Sequence, residues 1–164
     1  MKRLVFTFGT LYEPSIISSL LGKVPRHFLA SVKGYSIFKG TEKDAPEVIR
    51  KELSENRDMK NFSFLFAKKS VQPNDAITGK AYEITTSQEL ILDNYERYPT
   101  WYRKEGVEIE DEKGRKHQGF MYAIDKGGEK VERFERVNGD MNFYIESGEK
   151  IRKKILEEFP NIHL

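Results

Sequence analysis

Hydrophobic and polar positions alternate along this chain with two different rhythms. Leu4–Phe8 (LVFTF) is a short β-branched and aromatic run stopped by Gly9, the pattern of a buried strand. Pro14 then opens a helix through SIISSLL, with Gly22 placed as its C-cap. Phe28, Ala30 and Val32 alternate with polar neighbours and predict a strand over His27–Lys33, interrupted at Gly34 and continued by Tyr35–Phe38. Charge dominates Gly40–Asn61. Asp44 and Glu47 around Pro46 read as a helix start, and Val48, Ile49 and Leu53 give a narrow apolar stripe. That segment reads as a surface helix, either a lid or an insertion.

Phe62–Ala67 (FSFLFA) and Gly79–Ile84 (GKAYEI) are strand-like, with a turn over Gln72–Asp75 between them. Thr86, with Glu89 three residues on, has the form of a capping box, and the helix it opens reaches about Tyr95 before Pro99 ends the pattern. Val107 and Ile109 alternate with glutamates, DEKG makes a hairpin turn, and Phe120, Tyr122 and Ile124 line one face of the returning strand. Gly127 and Gly128 form the next turn. Val131–Val137 then reads as a charged edge strand, and Ile151, Ile155, Leu156 and Phe159 mark a C-terminal helix over 148–160. Strands outnumber helices and several are joined by short turns. The expected class is α+β, a curved and mostly antiparallel sheet with helices packed on it, in one domain over residues 1–164.

Composition narrows the function classes. A net charge of +2 gives no electrostatic case for a nucleic-acid partner. Without cysteine there is no disulfide, thiolate chemistry or cysteine zinc site. The start, MKRLVFTFG, turns polar too soon for a signal peptide, and no apolar run reaches membrane-spanning length, so a cytoplasmic location with no membrane partner is expected. His27, His117 and His163 lack metal-ligand spacing, so neither metal nor cofactor is expected.

Two stretches carry candidate chemistry. In LDNYERYPTWYR, Glu96 ends a helical pattern among Tyr95, Tyr98, Trp101 and Tyr102. A carboxylate there either snorkels past the rings into water or is held to handle protons; partial burial would raise its pKa towards that of a useful base. In FGTLYEP, a strand runs through one glycine into a helix, exposing backbone N–H groups at Gly9, Thr10 and Leu11 where an anion can bind. The plain alternative is a tight turn that needs glycine for backbone room.

The ordered set Phe8-Gly9-Thr10-Leu11, Gly34-Tyr35, Gly79 with Tyr82, Leu92-Asp93-x-Tyr95-Glu96, Tyr102-Arg103, Met121-Tyr122 and Gly139-Asp140-Met141 resembles the gamma-glutamylcyclotransferase-like family, in particular its gamma-glutamylamine cyclotransferase branch. The resemblance runs from about Leu4 to Ile145. It implies a barrel-like mixed sheet with a few packed helices. It also implies an enzyme acting on a small γ-glutamyl compound: the substrate's α-amine attacks its own γ-carbonyl, closing 5-oxoproline and releasing an amine or amino acid. By the same resemblance Glu96 is the general acid/base. Phe8, Gly9, Thr10, Leu11, Tyr102, Arg103 and Tyr122 are substrate-binding positions, with Arg103 alternatively a structural partner of Asp93. Phe8 stands where the family usually has tyrosine, Arg97 where glycine is common, and Met141 where tryptophan is usual. These departures support the alternative of a catalytically silent binding or regulatory protein on the same fold.

Overall fold

The computed structural model describes residues 1–55, 57–137 and 139–164; position 56 of the expected 40–61 insertion lies outside the described residues. Eight strands form one sheet: β1 (Lys2–Thr7), β2 (His27–Lys33), β3 (Tyr35–Thr41), β4 (Ser63–Lys69), β5 (Ala76–Thr85), β6 (Arg103–Asp111), β7 (Lys116–Ala123) and β8 (Glu129–Lys130). Their order is β1-β5-β2-β6-β7-β4-β3-β8. A further parallel contact, Val5 opposite Phe120, joins β1 to β7 and closes β1-β5-β2-β6-β7 into a five-stranded barrel. β4, β3 and β8 continue from β7 as an open wing. The expected α+β class with a curved, mostly antiparallel sheet is what is found.

Closure depends on glycine at close approaches. A Cβ on Gly79 of β5 would lie 2.0 Å from the Thr7 carbonyl oxygen of β1. One on Gly119 of β7 would lie 2.6 Å from the Leu4 carbonyl oxygen. No side chain fits at either distance.

Alternation along the strands sends side chains to opposite faces. Phe6, Val32, Ile77, Ala81, Ile109 and Met121 belong to an apolar cluster built from the sheet and its connections. Val5, Tyr82, Ile84, Phe120 and Tyr122 belong to a second cluster with Leu20 of α1 (Pro14–Leu21), Leu92 of α3 (Thr86–Tyr95) and Ile155 of α4 (Met141–Glu158). The end of β7 is therefore buried on both faces, as Met121 and Ala123 oppose Phe120 and Tyr122. Helix α1 ends as expected at Gly22, with φ of 78°.

Four local expectations change. The cap of α3 is Thr85, whose side chain accepts from the Gln88 N–H at 3.2 Å while Gln88 Oε1 accepts from the Thr85 N–H. TTSQE satisfies the S/T-x-x-E/Q pattern in two registers, and the buried Gln88 selects the first. Asp44 closes a short 3₁₀ turn by accepting from the Thr41 N–H at 2.9 Å, so α2 (Glu47–Ser54) starts behind Pro46 without a side-chain cap. The strand expected over Val131–Val137 is not found: that segment is irregular, and the only strand nearby, β8, is the two residues before it, Glu129–Lys130. Helix α4 begins seven residues before the expected start, at Met141, capped by Asp140, which accepts from the Asn142 N–H at 3.0 Å. Among the described residues no helix is long and apolar enough to cross a membrane.

Candidate active site

Helix α3 is anchored by Ile91 and Leu92, both fully buried. Glu96 follows it as C-cap, its N–H donating to the Leu92 carbonyl at 2.9 Å. Arg97 then takes a left-handed conformation, φ 53°, and the chain turns back through a cis Tyr98–Pro99 bond, with Trp101 N–H donating to the Arg97 carbonyl. The Arg97 guanidinium reaches out to Glu52 of α2 at 2.8 and 2.9 Å. The charge that follows the glutamate is thereby paired with the charged 40–61 segment.

The turn after β1 is held from several sides. Tyr12 N–H donates to the Gly9 carbonyl and Glu13 N–H to the Thr10 carbonyl. Tyr82 Oη and Lys80 Nζ both donate to the Tyr12 carbonyl, at 3.1 and 3.3 Å. Arg136 Nη1 donates to the Phe8 carbonyl at 2.6 Å while its guanidinium lies 3.8 Å from the centre of the Tyr12 ring. A Cβ on Gly9 would meet nothing within 4 Å. The turn and the end of α3 are joined directly: Thr10 Oγ1 and Tyr95 Oη are 2.7 Å apart.

Between them lies a cavity of about 550 Å³. Phe8, Gly9, Thr10, Leu11, Glu96, Tyr102 and Tyr122 all line it. Tyr102 Oη donates to the Leu65 carbonyl at 2.9 Å and Tyr122 Oη to Asp93 Oδ1 at 2.7 Å. Both hydroxyl protons are already bonded within the protein, which leaves the phenol oxygens as acceptors. Arg103 is the exception. It does not line the cavity but pairs with Asp125 and Glu105. The partner of Asp93 is the next residue, Lys104, at 2.8 Å, because strand alternation turns the two side chains to opposite faces.

Glu96 as a whole is half-buried, yet burial of its carboxyl pushes the pKa from 4.5 up to about 8, against the opposing pull of the Arg97 guanidinium. Among the described residues nothing hydrogen-bonds or ion-pairs with this carboxyl. Burial also raises the phenols of Tyr95, Tyr102 and Tyr122, and the nearby charge of Glu96 adds to each, so all three stay neutral at ordinary pH. Among the described residues no group of three or more His, Asp or Glu side chains is placed to hold a metal ion. The cavity thus brings a shielded carboxyl with a raised pKa together with neutral phenols and the Gly9–Leu11 turn.

Sequence reasoning missed the wall opposite. Arg57 and Phe62, Arg133 to Arg136, and Phe143 and Tyr144 of α4 also line the cavity. The segment after β8 and the first turns of α4 carry no periodic core pattern, because their side chains face this cavity.

The solved structure of a protein named gamma-glutamyl cyclotransferase superposes with a TM-score of 0.60 at 13% identity, covering 99% of this chain and 89% of that one. An uncharacterized protein from Homo sapiens gives 0.60 at 15% identity over 99% and 88%. A solution structure from Arabidopsis thaliana gives 0.54 at 20% identity over 96% and 88%. At these identities the likeness speaks for the fold alone. No curated protein sequence matches the chain. The family model described as gamma-glutamyl cyclotransferase, AIG2-like, matches residues 5–141, and the chain belongs to that family.

Proposed function

We propose that this protein is a γ-glutamyl cyclotransferase-type enzyme in which Glu96 is the general acid/base. Family membership supports the coarse reading. The observation that carries it to a residue is a carboxyl pushed up to about 8 in the same cavity as the Gly9–Leu11 turn.

The substrate's α-ammonium first loses a proton to solvent, because only the neutral amine can attack. The neutral amine nitrogen then bonds to the γ-carbonyl carbon of the same molecule, and the ionised Glu96 takes the proton that this nitrogen can no longer hold. The tetrahedral carbon collapses, its bond to the leaving nitrogen breaks, and Glu96 returns the proton to that nitrogen. The products are 5-oxoproline and a free amine or amino acid; no water is consumed and Glu96 ends as it began. Holding both reacting groups in one folded substrate removes much of the entropic barrier. Proton transfer by a positioned acid contributes about 10²–10⁴-fold. The Gly9, Thr10 and Leu11 amides stabilise the developing oxyanion or the α-carboxylate. The phenol oxygens of Tyr102 and Tyr122 accept from the α-amine. Phe8 supplies no hydroxyl, so that part of the work falls to main-chain donors and the Thr10–Tyr95 pair.

The test is 5-oxoproline release, followed by mass spectrometry, from a panel of γ-glutamyl amino acids and γ-glutamyl amines. Formation from at least one member, absent with Glu96→Gln, is expected. No product from any member overturns the proposal.

A further inference from the structure

The Glu96 carboxyl has no partner among the described residues, although a guanidinium belongs to the very next one. Arg97 stands in the left-handed region with its main chain pinned on both sides: its N–H donates to the Asn94 carbonyl at 3.2 Å, and its carbonyl accepts from the Trp101 N–H at 2.9 Å. All three guanidinium nitrogens then face acceptors other than Glu96. Nε and Nη2 donate to Glu52 Oε1 at 2.9 and 2.8 Å, and Nη1 faces the Tyr95 carbonyl at 3.5 Å. Glu52 sits on α2, which is seated by the buried Ile49 and whose Leu53 lines the same cavity as Glu96 and Arg97. The Glu52 side chain is 51% exposed, so the pair adds little to stability. What it decides is where a cation stands. Around Glu96 the cavity also holds the phenols of Tyr95, Tyr102, Tyr122 and Tyr144. Its other charges are Lys39 of β3, Arg57 beyond α2, and Arg133, Glu135 and Arg136 beyond β8. Burial raises the Glu96 acid, and among the described charged groups Arg97 alone pulls it down.

We infer that Glu52 is a positioning residue of this site: by holding the Arg97 guanidinium against α2 it keeps Glu96 unpaired and available to exchange a proton with the substrate. The inference rests on the ring-closing reading for what that proton does, and not for where the guanidinium lies. Without Glu52, Arg97 is left beside a carboxylate that has no other donor. A charge-assisted bond between them would occupy the oxygens that the substrate's proton must reach. It would also make Glu96 the weaker base, since an arginine beside a carboxylate lowers its titration midpoint by about one to three pH units. A helix outside the barrel thereby sets the strength of the acid inside the cavity.

Glu52→Ala removes both the charge and the acceptor while suiting the helix. Arg97→Met keeps the bulk of the stem and removes the guanidinium. The Glu96 side-chain carboxyl is titrated by ¹³C NMR in wild type, in Glu52→Ala and in Glu52→Ala/Arg97→Met. The midpoint is expected to fall from about 8 by about one pH unit or more in Glu52→Ala, and to return to about 8 or above in the double variant. At pH 9, kcat/KM for 5-oxoproline release is expected to drop about tenfold in Glu52→Ala and to recover to within about threefold of wild type in the double variant. An unchanged midpoint in Glu52→Ala overturns the inference. So does a fall that persists in the double variant, because water admitted by a loosened α2 is then the cause. Full turnover in Glu52→Ala despite a lowered midpoint overturns the positioning role. Midpoints that move as expected in a chain that forms no 5-oxoproline from any γ-glutamyl compound sink the ring-closing reading and leave the hold of Glu52 on Arg97 standing.

Discussion

Two carboxylates, Asp111 as the last residue of β6 and Glu96 ahead of its first, are pushed in opposite directions by their surroundings. Asp111, at the hairpin end, accepts from four donors: His117 Nε2, Arg115 Nε and the N–H groups of Lys113 and Arg115, all within 2.9 to 3.1 Å. These bonds, that from His117 foremost, hold it well below the usual carboxylate range. Glu96, seven residues before the other end, has no donor, and burial lifts it to about 8. The chain has donors to spare nearby, since Arg97 is the very next residue, but that guanidinium is turned to Glu52. A carboxylate that is wrapped fixes a turn. One that is shielded and left unwrapped is ready to exchange a proton near neutral pH.

The sharpest way to break the contrast is to neutralise each acid. Glu96→Gln is expected to cut 5-oxoproline release by about 10²–10⁴-fold in a chain that stays folded. Asp111→Asn is expected to leave turnover intact and lower the melting temperature; loss of turnover with unchanged melting would reverse the two roles. Next in size is Gly9→Val. Because the space beyond a Gly9 Cβ is open, the side chain enters the cavity, and kcat/KM is expected to fall by about 10–100-fold through crowding of the substrate. An unchanged kcat/KM would remove the turn from the site.

Stability against pH gives the smallest effect and the clearest sign. Glu96 binds its proton more tightly in the folded chain (about 8) than in the unfolded one (about 4.5). Its contribution is therefore complete below pH 4.5 and is lost as pH rises towards 8. Above pH 8, Glu96→Gln is expected to be more stable than wild type by about 1–3 kcal/mol, after allowance for partial solvent access. Asp111 acts on the other side: its contribution is present above the unfolded value of 3.8 and fades as the solution is acidified below it. Denaturant unfolding of both variants and wild type at pH 2, 3, 5, 7 and 9 separates the two slopes.

Much of the fold was legible because its signals are local. The bounds of β2 and the end of α3 at Tyr95 match the alternation and capping patterns directly. Glu96 and the Gly9 turn were visible for the same reason, each being a break in a regular pattern. What the pattern hid is non-local. Arg136 reads as one more charge on an edge strand, yet it bonds to a carbonyl 128 residues away. Phe143 and Tyr144 open α4 without joining its buried stripe, since they face the cavity, so periodicity finds that helix only from Ile151 onward. Arg103 and Lys104 are interchangeable on charge, and only the pleat decides that Lys104 meets Asp93 and Arg103 meets Asp125. Barrel closure likewise sets β1 beside β7, paired at Val5 and Phe120, a neighbour that no local pattern announces.

The account stands on a carboxyl held near neutrality by its surroundings. The most direct measurement is an NMR titration of the Glu96 side-chain carboxyl in ¹³C-labelled protein, assigned by its loss in Glu96→Gln. A midpoint near 8, with the Asp111 carboxyl ionised throughout the same range, is the expected result. A Glu96 midpoint near the ordinary value of 4.5 would contradict the account, because an acid in free exchange with water has no claim to the proton-transfer role assigned to it.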